Sequence, residues 1–168
     1  VADTPPAIRH ANPDDLPRIT AIFNTVIEDS HVSFEEQPRA LAVWKEILAS
    51  KSEDGPHQLL VAVDDGEVVG LAYSSPWRSK SGYRLTVETT IVLDPDHTGG
   101  GIGTALLSAL LESVARAGAH RAVAVVAVPN EASMRLHEKL GFERVGLLDE
   151  VGFKNGRFWS TELLQKRL

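Results

Sequence analysis

Gly99-Gly100-Gly101-Ile102-Gly103-Thr104 stands between a β-rich run, Leu85 to Leu93, and a helical stripe of Leu106, Leu107, Leu110, Leu111 and Val114. A strand, a glycine-rich turn and an amphipathic helix, in that order, bring unpaired backbone N–H groups and the positive end of a helix dipole to one point, where an anion is held. Glycines allow a phosphate close to the backbone because no Cβ intervenes. A glycine-rich surface turn without a ligand is the alternative reading. A P-loop would need G-x-x-x-x-G-K-[ST], and no lysine follows these glycines. A dinucleotide site would follow the first strand and place an acid about twenty residues on, where this chain has Ala122-Val123-Ala124-Val125-Val126. Nucleoside triphosphate hydrolysis and NAD binding are therefore disfavoured.

Upstream of the turn, Ile8-Arg9 reads as a short strand, and Asn12-Pro13-Asp14-Asp15 supplies an N-cap, an early proline and first-turn acids. Leu16, Ile19, Ile22, Phe23, Val26 and Ile27 then predict a helix to about Glu28, and Ser30 to Gln37 a loop. Leu41, Trp44, Ile47 and Leu48 mark a second, shorter helix that ends before Gly55-Pro56. His57 to Val63 and Glu67 to Ser75 form a hairpin through Asp64-Asp65-Gly66. Downstream, the helix that opens at Gly101 ends at Gly118, and Ala122 to Val128 is apolar enough to be buried on both faces. Asn130 caps a short helix ending at Gly141, and Arg144 to Gly152 with Phe158 to Leu168 close the chain as paired strands. The class is mixed α/β (α+β), and residues 1–168 read as a single domain without repeats or linkers.

Composition narrows the chemistry further. With 43% hydrophobic and 24% charged residues the chain is an ordinary folding sequence, and with no cysteine it has no thiolate nucleophile or disulfide. Six histidines without an H-x-x-x-H spacing give no support for a metal. A net charge of −6 disfavours a nucleic-acid partner. Val1-Ala2-Asp3-Thr4-Pro5-Pro6 lacks the basic start and apolar run of a signal peptide, and no apolar run approaches bilayer length, so a cytoplasmic location away from membranes is expected.

The glycine turn resembles the acetyl-CoA pyrophosphate loop of the GCN5-related N-acetyltransferase superfamily, R/Q-x-x-G-x-G/A, with Gly101 and Gly103 as its glycines. The likeness runs from Ile8 to the C-terminus. Ser75-Pro76-Trp77-Arg78, Thr86-Val87-Glu88-Thr89-Thr90, Met134-Arg135-Leu136-His137-Glu138 and Val151-Gly152-Phe153-Lys154 are similar to the branch that acetylates phosphinothricin and methionine sulfoximine. The resemblance implies a mixed sheet of about six or seven strands, splayed at the cofactor site and flanked by about four helices. It implies acetyl-CoA as co-substrate, gripped by Thr98, Gly99, Gly100, Gly101, Ile102, Gly103 and Thr104, with the pantetheine arm along the backbone of Ile91, Val92 and Leu93. One departure stands out: Thr98 and Gly99 occupy positions that are often Arg or Gln and basic, so main-chain N–H groups and the Thr104 hydroxyl carry the contact, and weaker coenzyme A binding is expected.

Acetyl transfer to nitrogen needs a neutral amine, and an amine of pKa near 10 is only about 0.1% neutral at pH 7. Glu88, inside a β-branched strand, is the candidate base, directly or through a water; the alternative is a solvated strand-face acid. His137 stands where many relatives carry a tyrosine, and the resemblance makes it the candidate general acid; a satisfied, half-buried histidine is the alternative. Asn130 either holds the coenzyme A arm or merely caps its helix.

Trp77, Arg78, Tyr83 and Arg84 offer aromatic walls and guanidinium forks for a carboxylate. Phe34 resembles part of the family's substrate lid, Val87 neighbours the base, and Lys154 is within reach of the pocket of its own or a partner subunit. Together these imply an amino-acid-like acceptor, namely phosphinothricin, methionine sulfoximine or methionine sulfone, acetylated on its α-amine, in a homodimeric enzyme. An acyl-CoA-binding sensor without turnover and an acetyltransferase for another small amine are the alternatives.

Overall fold

The computed structural model describes residues 6–168; the N-terminal expectation drawn from Val1 to Pro6 falls almost wholly outside the described residues. One seven-stranded mixed sheet organises the chain. Its strands are β1 (Ala7–His10), β2 (Leu59–Asp64), β3 (Glu67–Pro76), β4 (Thr86–Leu93), β5 (Arg121–Val128), β6 (Glu143–Lys154) and β7 (Arg157–Arg167). They lie in the order β1-β2-β3-β4-β5-β7-β6, antiparallel throughout except for the β4–β5 pair.

Four α-helices pack on this sheet: α1 (Leu16–Asp29), α2 (Leu41–Ala49), α3 (Ile102–Arg116) and α4 (Glu131–Lys139). The capping expectation at Asn12 holds, for its side chain accepts from the Asp14 N–H at 2.9 Å, and a 3-10 turn, Pro13–Asp15, leads into α1. One core gathers Ile19, Ile22, Phe23 and Trp44 of α1 and α2 against Val61 and Leu71 on one face of the sheet. The other gathers Leu106, Leu107, Leu110 and Val114 of α3 against Ala62, Val69 and Val87. Strand alternation therefore sorts β4: Val87, Ile91 and Leu93 pack with the α3 core, and Val92 packs with the α1–α2 core. Glu88 and Thr90 share the Val92 face by the same alternation.

β4 and β5 diverge. They pair only at Thr86↔Arg121, Val87↔Ala122 and Glu88↔Val123, although β5 stays paired with β7 as far as Val128↔Ser160. At the fork the Thr89 hydroxyl donates to the Val123 carbonyl, a loose 3.4 Å contact. This corrects the expectation that Ala122 to Val128 is buried on both faces. Ala122, Ala124 and Val126 are buried, whereas Val125 is 40% exposed, because β4 has left its side by that point.

Candidate active site

The fork opens into a cavity of about 480 Å³. Thr89 to Leu93 form one wall and Ala124 to Ala127 the other, Asn130, Ser133 and His137 close one side, and Phe23, Val26, Val32, Ser33, Glu35, Arg39 and Tyr73 close the opposite side. A strand edge that loses its neighbour keeps backbone donors and acceptors open, the requirement for an extended ligand to lie along it as an added strand.

The glycine turn lies at the mouth of the fork. Gly99, Gly100 and Gly101 have φ of +94°, +57° and +82°, a run of left-handed conformations that side chains rarely tolerate. A Cβ at any of the three would meet nothing within 4 Å, so the glycines answer to backbone conformation and open space rather than to crowding. Gly101 is the N-cap of α3 and makes no side-chain cap, which leaves first-turn amides for an external anion. Thr98 lines the cavity, and the residues present suit a pyrophosphate held by main chain.

Just before the turn, Asp94 is buried and serves as its anchor. It accepts from the Arg18 guanidinium, from His97 Nδ1 at 3.2 Å and from the Asp96 N–H at 3.2 Å. Arg18 also donates through Nε to the Val68 carbonyl at 3.2 Å, tying the end of β4 to α1 and β3.

Glu88 is half-buried opposite Ser75, and Thr90 lies opposite Tyr73. Burial pushes the Glu88 carboxyl above the usual carboxylate range, the direction a base for an ammonium requires. Glu88 is not among the residues that line the main cavity, whose β4 wall begins one residue further on, at Thr89.

His137 is 3% exposed and packs edge-on against Phe142, ring centroids 5.0 Å apart. Its Nδ1 is 2.8 Å from the Ser133 carbonyl. A carbonyl only accepts, so Nδ1 carries the hydrogen, and in the neutral ring Nε2 carries a lone pair. Burial lowers the His137 pKa, although the Ser133 contact works against it. A neutral ring in this tautomer has no proton on Nε2 to give, which alters the general-acid expectation. Asn130 caps α4 by accepting from the Ser133 N–H at 3.1 Å and also lines the cavity.

The acceptor-side expectations divide. Val87 points into the α3 core and is fully buried, away from the cavity. Arg78 lies over Trp77 at 5.2 Å in the β3–β4 connection, and Tyr83 and Arg84 are exposed in the same segment; none of these four lines the cavity. Lys154 is buried, with Nζ donating to the carbonyls of Ile27 at 2.6 Å and Ser33 at 2.7 Å, so it braces the loop and presents no ammonium to an acceptor in its own subunit. Phe34 packs on Gly152, where a Cβ would come within 2.3 Å of its ring. His31 adds a third tie, stacked on Trp159 at 4.0 Å and donating from Nε2 to the Pro129 carbonyl at 2.9 Å.

Arg39, Glu35 and Tyr73 line the cavity without having stood out in the sequence. Glu35 and Arg39 are two opposite charges on either side of Pro38, a commonplace surface pattern. Only folding carries Arg39 onto Phe23, its Cζ 4.2 Å from the ring centroid.

A protein-family model, the acetyltransferase (GNAT) family, matches residues 19–142, most of the chain and all of the fork and glycine turn. The chain belongs to the GNAT acetyltransferase family. A phosphinothricin N-acetyltransferase from Streptomyces coelicolor is 39% identical over 96% of this chain and 95% of its own length. An L-methionine sulfoximine/L-methionine sulfone acetyltransferase from Pseudomonas aeruginosa is 37% identical over 96% of this chain and 94% of its own. The crystal structure of a GNAT phosphinothricin acetyltransferase from Sinorhizobium meliloti, in complex with acetyl-CoA, superposes with a TM-score of 0.93 at 34% identity, covering 98% of this chain and 89% of that one. This GNAT acetyltransferase has the seven-stranded sheet and four helices of that fold. Among its described residues no group of three metal-ligating side chains is clustered, and no helix is long and apolar enough to cross a membrane.

Proposed function

We propose that this chain moves the acetyl group of acetyl-CoA to the α-amine of a small amino-acid-like acceptor of the phosphinothricin, methionine sulfoximine or methionine sulfone type. The observation that carries this reading is the fork itself. The strand that parts from its neighbour carries a half-buried acid of raised pKa, Glu88, and runs on to a main-chain anion turn.

Acetyl-CoA supplies an activated thioester when bound. Gly99 to Thr104 hold its pyrophosphate, Ile91 to Leu93 pair with its pantetheine arm, and Asn130 and His137 line the opposite wall. Glu88 takes a proton from the acceptor's ammonium, directly or through a water, which frees the nitrogen lone pair. A C–N bond then forms at the acyl carbon as the C–S bond breaks, the sulfur leaving with the electron pair and taking up the second proton, which the nitrogen sheds as the neutral amide forms. A backbone N–H of the open β4 edge stabilises the charge that develops on the acyl oxygen. A thiol of pKa about 8.5 is a competent leaving group, so neutral His137 serves as a hydrogen-bond acceptor and packing wall, and as an acid only in the acidic range where it is protonated.

A homodimer in the cytoplasm completes the reading. Val145, Leu147, Val151, Phe153 and Phe158, each 51% to 57% exposed, make an apolar surface on the β6–β7 hairpin at the sheet edge, a surface suited to a second copy.

The test is a thiol-release assay with acetyl-CoA and amino-acid analogues, alongside calorimetric titration of coenzyme A. Release of coenzyme A only in the presence of such acceptors supports the reading. Binding of coenzyme A without release in any of them leaves a silent acyl-CoA-binding protein instead.

A further inference from the structure

The ties that hold the loop from Ser30 to Gln37 do not all run the same way. Lys154 and Gly152, which meet Ser33 and Phe34, both belong to β6. His31 reaches further. Its ring stacks on Trp159 of β7, centroids 4.0 Å apart and planes within 13°, and its Nε2 donates to the Pro129 carbonyl at 2.9 Å, across 98 positions of sequence. Pro129 lies in the connection between β5 and α4, immediately before Asn130. Among the described residues, this is the one hydrogen bond that joins the loop to the β5–α4 side of the fork.

The two ends of that bond lead straight into opposite walls of the cavity. Val32 and Ser33 follow His31 on one side, and Asn130 and Ser133 follow Pro129 on the other. In the proposed reaction the coenzyme A arm runs past Asn130, and the loop bounds the acceptor. The bond therefore fixes the spacing between the wall of one substrate and the wall of the other.

The imidazole is aimed by its surroundings. Trp159 is anchored through its own Nε1, which donates to the Lys154 carbonyl at 3.0 Å, and the Arg157 guanidinium lies over its ring with Cζ 4.1 Å from the centroid. A ring stacked nearly parallel on an anchored indole keeps its plane, and that plane directs the Nε2–H. A carbonyl only accepts, so Nε2 carries the hydrogen in the neutral and the protonated ring alike, and the bond survives protonation. Through such a contact, a ligand that orders one wall leaves less ordering to be done by the ligand on the other.

We infer that His31 is a positioning residue that couples the two substrate sites: by bonding Pro129 it makes coenzyme A and the amino-acid acceptor each tighten the binding of the other. This rests on the proposed function and deepens it, because it gives the two substrates a mutual dependence.

Calorimetric titration tests it, by the Kd of L-methionine sulfone with and without saturating coenzyme A, which has no acyl group to transfer, and by the reciprocal Kd of coenzyme A. Wild type is compared with His31→Phe, which keeps a stacking ring and loses the donor, and with His31→Gln, which keeps an N–H donor. His31 is half-buried at the surface, so neither change empties the core. In wild type each ligand tightens the other by about fivefold, equally in both directions. His31→Phe brings that factor below about twofold, while coenzyme A alone binds within about twofold of wild type; His31→Gln recovers a factor of about threefold. Independent binding of the two ligands in wild type overturns the inference. So does a His31→Phe variant that keeps the full factor, or one that weakens both ligands alike with the factor unchanged, which makes His31 a brace only. Failure of wild type to bind or turn over any amino acid tested removes the proposed function itself, and this inference with it.

Discussion

Lys154 Nζ donates to the carbonyl oxygen of Ser33 at 2.7 Å, across 121 positions of sequence. With its second bond to the Ile27 carbonyl at 2.6 Å, it fastens the loop after α1, which carries one wall of the cavity, to the β6–β7 hairpin. Lys154→Met keeps the stem's packing and removes both bonds. It leaves a buried carbonyl unsatisfied, and a loss of about 2 kcal/mol in a urea titration is expected. Acceptor KM rises by more than the KM for acetyl-CoA, because the turn at Gly99 to Gly101 is untouched.

Gly152→Ala attacks the same joint from the packing side. The new methyl would come within 2.3 Å of the Phe34 ring, so the ring or the loop must move. Overpacking of this kind costs about 1–3 kcal/mol. The paired variant Gly152→Ala with Phe34→Leu is expected to recover part of the lost melting temperature, and an additive loss in the pair would show that the two residues do not meet.

Glu88, the proposed base, is expected to set the acid side of the pH profile. Burial raises its pKa, so the ascending limb of kcat/KM, where the carboxylate becomes available as base, lies above the range of an ordinary carboxylate. Glu88→Gln removes this limb and lowers kcat by about 10²-fold or more, while coenzyme A affinity measured by calorimetry stays within about threefold. A variant that keeps the wild-type limb would assign the ionisation elsewhere.

The turn itself gives an affinity test. Arginine at position 99 adds a charge-assisted donor that the wild-type loop lacks, yet Gly99 has φ of +94°, so Gly99→Arg also carries backbone strain. Thr98→Arg places the cation on an extended residue, φ −86°, without that cost. Coenzyme A Kd is expected to fall about threefold to tenfold in Thr98→Arg and by less in Gly99→Arg, with a steeper salt dependence in both. Unchanged Kd in Thr98→Arg means that main-chain contacts already saturate the site.

Lys51 provides a stability test away from the reaction. Burial lowers its pKa to about 8, and Nζ donates to the Ser74 carbonyl at 2.7 Å. In the unfolded chain it titrates near the ordinary lysine value, so between about pH 8 and 10 the unfolded state binds more protons and stability rises with pH. Below pH 8 the cost of burying the cation is fully present. The Tm of wild type relative to Lys51→Met is expected to climb by a few degrees from pH 8 to pH 10, and a flat difference would show that Lys51 titrates normally.

The amino-acid sequence by itself determined the elements and the cofactor end of the site. Helical stripes, the Asp64-Asp65-Gly66 hairpin and the strand–glycine–helix order are local patterns, and local backbone preferences suffice to read them. The turn proposed to hold the pyrophosphate is six consecutive residues, so its chemistry survives in one dimension. The acceptor end is not contiguous. Whether Ala122 to Val128 is covered on both faces depends on where β4 leaves it, and that parting is decided by pairing between segments more than thirty residues apart. Arg78 and Arg84 look like carboxylate forks in the sequence but sit outside the cavity, whereas Arg39 lies within it because Phe23, Trp44, Asn24 and Glu35 converge there. Charge and residue type tell what a side chain is able to bind. Burial and convergent neighbours decide which ones face an acceptor, and those arise only when α1, α2 and the sheet pack together.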